Sequence, residues 1–247
     1  MNNDDQKMRI AKAMAHAGLC SRRDAEGWIE AGRVSVNGQK LTSPAFVVGP
    51  DDKIEVDGRL ITGAQKLEVF MFHKPAGCLT TNRDPEGRRT IFDILPPDLP
   101  RVVTVGRLDY NTEGLLLLTT DGELARHFEL PANKIPRTYR VRVRGILRDD
   151  HIAKLEKGIT YKGIRYGSIK ATIDSAKGIN AWMTMQLHEG KNREIRNVME
   201  AMGFEVSRLI RVSYGPFQLG DLREGYVRDC SQTVLRNALP APWKNRI

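Results

Sequence analysis

The chain has 247 residues, a net charge of +9, 40% apolar residues and 28% charged ones, a mixture that suits a globular protein with one large core or two smaller ones and not a disordered chain. Its longest aliphatic run, Leu115–Leu118, falls far short of the ~20 residues of a membrane helix, and the polar start MNNDDQKMR offers no secretory h-region. Cys20, Cys78 and Cys230 lie far apart without a CxxC, the histidines never pair at ligand spacing, and no GxxxxGK[ST] or GxGxxG occurs. These absences argue for reduced thiols in a cytoplasmic setting, with no metal and no nucleotide cofactor.

In chain order, Ile10, Met14 and Ala17 make a helical stripe that stops at Gly18. Ser21 with Asp24 reads as a capping box opening a second helix, about 22–31, which buries Ala25, Trp28 and Ile29 and ends at Gly32. RVSVNG is a short strand closed by the hairpin signal Asn37-Gly38, and KIEVDG is another strand. ITGAQK, 61–66, reads as a linker. The second part opens with the strand LEVFMFHKP and a polar loop, 76–90. IFDILP follows as a helical turn, then the strands VVTVGRLD and LLLLTTDGELA, the latter followed by a turn and a helix start. RTYRVRVRG alternates as a strand with Tyr139, Val141 and Val143 on one face. HIAKLEKGI is an amphipathic helix, IKATIDSA and AWMTMQLHEG are strands, NREIRNVMEAMG is a helix and VSRLIRVSYGPF a last strand region. The Pro-containing tail 239–247 is expected to be disordered. Strands with interspersed helices and no βαβ repeat predict an α+β fold with a largely antiparallel mixed sheet.

A basic balance makes nucleic acid the leading partner class, although surplus Lys and Arg also serve plain solubility. In the N-terminal module Arg9, Lys12, Arg22, Arg23 and Arg33 stand at element starts and are candidate RNA contacts. Lys134, Arg137, Arg140, Arg142, Arg144 and Arg148 form an acid-free run. Arg140, Arg142 and Arg144 alternate, so they share one strand face and predict phosphate contacts.

The most informative stretch is GRLDYNTEGLLLLTTDG, which sets a carboxylate, Asp109, between Arg107 and Tyr110 in a loop joining two apolar strands. Taken alone, such an Asp is most often a turn residue. Glu113, four residues on, makes a paired-carboxylate glycosidase conceivable.

This stretch closely resembles the catalytic motif of the RsuA/RluB family of ribosomal RNA pseudouridine synthases, and the resemblance covers nearly the whole chain. RIAKAMAHAGLCSRRDAEGWIEAGRVSVNG is similar to the S4 RNA-binding module that precedes the family's catalytic domain; HKPAGCLTTNRD, RTYRVRV and EGKNREIR resemble its other motifs in order and spacing. The resemblance implies an S4 module over residues 6–66 and a catalytic domain over 67–247. It also implies Asp109 as the essential carboxylate, Tyr139 as the ring on which an extruded uracil stacks, and Arg196 as the active-site arginine beside Ile195. Arg137 stands where the family usually has Lys. Arg107, Lys191 and Arg193 join the candidate RNA contacts, and Glu113 becomes structural.

Pseudouridylation breaks the N1–C1′ bond of a uridine, turns the base and rejoins it through C5, so no redox partner and no cofactor is required. Attack on C1′, attack on C6 and removal of a ribose proton all employ a single carboxylate. Burial would drive that carboxylate neutral, and Arg196, able to grip both its oxygens, would hold it ionised. The stretch from EGKNREIR to VSYG is closer to the RluB branch, acting on 23S rRNA, than to the RsuA branch, acting on 16S rRNA. A monomer acting on rRNA or a pre-ribosomal particle is expected. The alternatives are a 16S enzyme, a non-catalytic S4-type assembly factor and a base-removing glycosidase.

Overall fold

The computed structural model describes residues 7–61, 63 and 65–246. The expected module start at residue 6, and residues 62 and 64 of the expected linker, lie outside the described residues. The chain forms two compact units. One runs up to Leu67, with Pro100–Val102 and Thr120–Gly122 added; the other comprises the remainder from Glu68.

The first unit contains β1 (Met8–Arg9), α1 (Ile10–His16), α2 (Arg22–Glu30), β2 (Val34–Val36), β3 (Gln39–Lys40), β4 (Val47–Val48), β5 (Ile54–Val56) and β6 (Arg59–Leu60). Ser21 and Asp24 form the reciprocal capping box that starts α2. Asn37 and Gly38 both take positive φ, which turns β2 into β3. Asp57 and Gly58 do the same between β5 and β6, a hairpin the sequence reading did not anticipate. Ile10, Met14, Ala25, Ile29, Val34 and Val36 fill the core, each aliphatic side chain contributing about 1.5–3 kcal/mol by leaving water. Trp28, expected to be buried, is half-buried, and the Arg33 guanidinium stacks over it at 4.7 Å from the ring centroid.

The second unit carries β7 (Val69–Lys74), β8 (Val103–Val105), β9 (Glu113–Thr119), α3 (Gly122–Glu129), β10 (Arg137–Arg144), α4 (Asp149–Lys157), β11 (Thr160–Tyr161), β12 (Ile164–Arg165), β13 (Lys170–Lys177), β14 (Asn180–Leu187), α5 (Glu194–Ala201), β15 (Glu205–Tyr214), β16 (Phe217–Gln218), β17 (Val227–Asp229), α6 (Gln232–Ala238) and α7 (Ala241–Lys244). Its large sheet runs β13-β14-β10-β15-β9-β7-β17, with β8 also on β9 and β16 on β15. Every pairing is antiparallel except β15 with β9, where Ile210 meets Glu113 and Arg211 meets Gly114. This is the α+β fold with a largely antiparallel mixed sheet. Gly114 is demanded at the parallel joint: its φ is +103°, and a Cβ there would collide with the backbone of Arg211. Ile195, Val198 and Met199 of α5 are buried, as their spacing predicts. The tail departs from expectation. Leu239 is buried and Ala241–Lys244 form α7, so the Pro-containing segment has an apolar anchor and a helical turn; residue 247 lies outside the described residues.

Candidate functional site

Asp109 sits on the loop between β8 and β9, and several contacts fix that loop. Leu108 is pinned from both sides by Thr80, whose Oγ1 donates to its carbonyl at 2.9 Å and accepts from its N–H at 3.3 Å. Tyr110 O accepts from Gly77 N–H at 2.8 Å, and Gly106 N–H donates to Glu129 at 2.8 Å. Beneath the loop lies Lys74, fully buried at the end of β7. Its Nζ donates to the carbonyls of Asp109 (3.2 Å), Tyr110 (3.4 Å), Thr112 (3.0 Å) and Pro75 (2.9 Å). Burial pulls the Lys74 ammonium below the ordinary lysine range. In the sequence, HKPAG assigns Lys74 no role of its own. A lysine ending an otherwise apolar strand was the available signal.

A cavity of about 860 Å³ opens beside this loop. Asp109, Tyr139, Arg107, Lys191, Arg193 and Ile195 line it, together with Leu209 and Arg211 of β15. Tyr139 is 9% exposed and pairs with Arg211 across the sheet, so both side chains face the cavity. The Asp109 side chain is 36% exposed, so the burial expected of it is not observed. Its ion-pair partner is Arg193, whose Nη1 lies 3.9 Å from Oδ2; Arg193 holds the left-handed conformation, φ 49°, at the start of α5.

Arg196 differs from expectation. Its guanidinium does not grip the carboxylate: Nη1 donates to Val206 O at 3.0 Å and Nη2 to Asn111 O at 3.1 Å, tying α5 to β15 and to the Asp109 loop. Its buried Nε has no hydrogen-bond partner among the described residues. Burial and the Arg193 charge pull its pKa down, and the Asp109 charge opposes them.

Arg137, expected as an RNA contact, also lines this cavity but is mostly buried. Two residues before Tyr139, it shares the buried face of β10 and is 7% exposed. Nη1 donates to the carbonyls of Ile135 (3.1 Å) and His188 (3.3 Å), Nη2 donates to the Tyr214 hydroxyl (2.9 Å), and the guanidinium stacks 4.7 Å from the Tyr214 ring centroid. Arg140, Arg142 and Arg144 lie on the opposite face of the strand. Arg140 is 3.8 Å from Asp174 and stacks over Trp182. Glu113, also turned away from Tyr139, is clamped by Arg208 through two bonds of 2.9 and 2.8 Å. It is therefore not a second free carboxylate facing Asp109.

In the first unit Arg9, Arg22, Arg23 and Arg33 are exposed and Lys12 is half-buried. Arg33 is held by Asp57 through Nε at 3.1 and 3.2 Å. Among the described residues, no three His, Cys, Asp or Glu side chains gather as a metal site, and no helix is long and apolar enough to cross a membrane.

Residues 68–201 match the RNA pseudouridylate synthase family, and residues 8–54 match the S4 domain. The chain belongs to the RNA pseudouridylate synthase family. An uncharacterized RNA pseudouridine synthase of Rickettsia felis is 43% identical over 92% of this chain and 98% of its own length. Ribosomal large subunit pseudouridine synthase B of Salmonella typhimurium is 43% identical over 95% of this chain and 84% of its own. A crystal structure of a pseudouridylate synthase superposes with a TM-score of 0.67 at 26% identity, covering 94% of this chain and all of that one. The pseudouridine synthase described here is thus an isomerase with an RNA-binding S4 domain and an RNA substrate.

Proposed function

We propose that this pseudouridine synthase isomerises one uridine of 23S rRNA, with Asp109 as the reacting carboxylate. The observation that carries this reading is the cavity in which Asp109 and Tyr139 stand together, ringed by the cations Arg107, Lys191 and Arg193. Uridine must leave its stack to enter, at a cost of a few kcal/mol, and the flat ring of Tyr139 recovers part of it by stacking. The N1–C1′ bond breaks, the base turns, C5 bonds to C1′, the C5 proton is lost and N1 gains one, so RNA mass is unchanged. Arg107, Lys191 and Arg193 hold the flanking phosphates while Asp109 acts.

Arg196 is a positioning residue that sets the Asp109 loop through Asn111. The domains divide near 66/67, with Arg9, Lys12, Arg22, Arg23 and Arg33 of the S4 module adding sequence-independent affinity. Arg140, Arg142 and Arg144 add a basic surface for RNA beyond the cavity. The large-subunit relative supports the 23S target over a 16S one, and the protein works as a cytoplasmic monomer.

The test is tritium release from 5-tritiated uridine transcripts of 23S and 16S rRNA. Release from 23S alone, at unchanged RNA mass, is expected. Release from 16S alone contradicts the target. Free uracil with an abasic site contradicts isomerisation, and RNA binding without release contradicts enzymatic action.

A further inference from the structure

The turn that brings Arg193 to Asp109 is closed by two carboxyl groups. Glu194, the first residue of α5, is 4% exposed. Its Oε2 accepts the Lys191 N–H at 3.0 Å. Its Oε1 is buried with no hydrogen-bond donor in place among the described residues, and the side chain lies against the carboxyl of Glu189. Glu189 accepts from Gly167 N–H at 2.6 Å through Oε1 and from Lys191 Nζ at 2.6 Å through Oε2, and each oxygen keeps a lone pair for a further donor.

Two adjacent carboxylates, one of them buried with a bare oxygen, cannot both stay ionised, since desolvation and mutual repulsion both disfavour the second charge. A proton on Glu194 Oε1 resolves the conflict, because the acid then donates to Glu189. The other charged and titratable groups around the pair are already committed. Lys191 Nζ also donates to Arg165 O at 2.8 Å, and the Arg165 guanidinium turns to the carbonyls of Lys157 and Gly158. The Tyr166 hydroxyl accepts from Asn197 at 2.8 Å, Arg137 is spent on carbonyls and Tyr214, and Arg193 faces Asp109.

We propose that Glu194 is a positioning residue that works as a neutral acid, donating its proton to Glu189 so that the 189–194 turn keeps Lys191 and Arg193 at the cavity and α5 in register behind Asp109. Burial first, and the Glu189 carboxyl second, push the Glu194 pKa up to about 8. Below that pH the latch is closed. Above it the ionised pair repels and the turn releases Arg193. The proposal rests on reading the Asp109 cavity as the site of isomerisation.

The test is a pH profile of single-turnover pseudouridine formation by the full chain, from about pH 6 to about pH 10, on the 5-tritiated 23S transcript. Loss of one proton predicts that the wild-type rate falls about tenfold per pH unit above about 8. Glu194→Gln, neutral at every pH and still a donor, should stay within about twofold of wild type near pH 7 and lose that alkaline limb. Glu194→Ala should be slower by about tenfold or more throughout. A limb unchanged in Glu194→Gln, or equal behaviour of the Gln and Ala variants, would overturn the proposal.

Carbon-13 NMR of the glutamate carboxyls in the intact wild-type chain gives a readout that needs no turnover. A Glu194 resonance titrating near 8 is expected, and one titrating in the ordinary glutamate range overturns the proposal. If the wild type yields no pseudouridine in any transcript while Glu194 titrates near 8, the functional reading fails and the latch stands.

Discussion

On one face of β10, Arg137 is 7% exposed and gives its guanidinium to carbonyls and to Tyr214; on the other, Arg140 and Arg144 are exposed and Arg142 half-buried, with Asp174 and Trp182 as Arg140's neighbours. The same residue type on one strand is part of the frame in the first case and surface in the second. Charge along a sequence therefore says little about RNA contact until the inward face is known. The site follows the same rule: Lys74 and Arg196 work through backbone carbonyls behind Asp109, whereas Arg107, Lys191 and Arg193 line the cavity.

Breaking the frame should have the largest effect. Lys74→Met strips the donor from four carbonyls beneath the Asp109 loop. We predict a loss of about 3 kcal/mol of stability and at least a hundredfold loss of turnover, read by urea unfolding and tritium release. Retained turnover would mean that the loop holds itself. Arg137→Met should cost about 2–3 kcal/mol, because the carbonyls of Ile135 and His188 and the Tyr214 hydroxyl lose their buried donor. An unchanged melt would return Arg137 to the surface class.

Glu194 sharpens the comparison through pH. Its folded pKa is raised to about 8 from the ordinary 4.5. Below about 4.5 both folded and unfolded chains carry the proton, and the group is neutral for stability. As pH rises the unfolded chain releases the proton and the folded one retains it, so the wild type loses stability up to about pH 8. Glu194→Gln should therefore gain on the order of 4 kcal/mol over wild type at pH 8 and nothing near pH 4, measured as paired melts. A gain independent of pH would point to packing instead of the proton.

Much of this arrangement was legible in the residues. Ser21 with Asp24, Asn37-Gly38 and the stripe of α5 each carry a local signal, and each formed the element it predicted. The alternation of RTYRVRVR separates Tyr139 from Arg140, Arg142 and Arg144. It also puts Arg137 on Tyr139's face, but adjacency in a basic run suggested otherwise. What stayed hidden depends on contacts distant in sequence. Lys74 meets three of its four carbonyls 35 to 38 residues on. Arg196 finds Asn111 85 residues away. Whether an arginine takes a carboxylate or a carbonyl is decided by how α5 packs on β15, which no local pattern encodes.

The smallest expected effect belongs to the outer face. Arg142→Ala should change stability by less than about 0.5 kcal/mol. If it meets a phosphate, it should weaken all RNAs alike and reduce the log–log salt slope by roughly 0.7 to 0.9. An unchanged slope would make that face plain surface.

The central claim is that Asp109 is the reacting group while binding is spread over the surrounding cations. Asp109→Asn is nearly isosteric, and Lys74 and Thr80 hold its loop through backbone groups that the substitution leaves intact. Single-turnover pseudouridine formation with enzyme in excess, measured beside RNA affinity, tests the claim directly. No detectable pseudouridine at near-normal affinity is expected. Substantial product from Asp109→Asn, in a preparation free of wild-type enzyme, would contradict it.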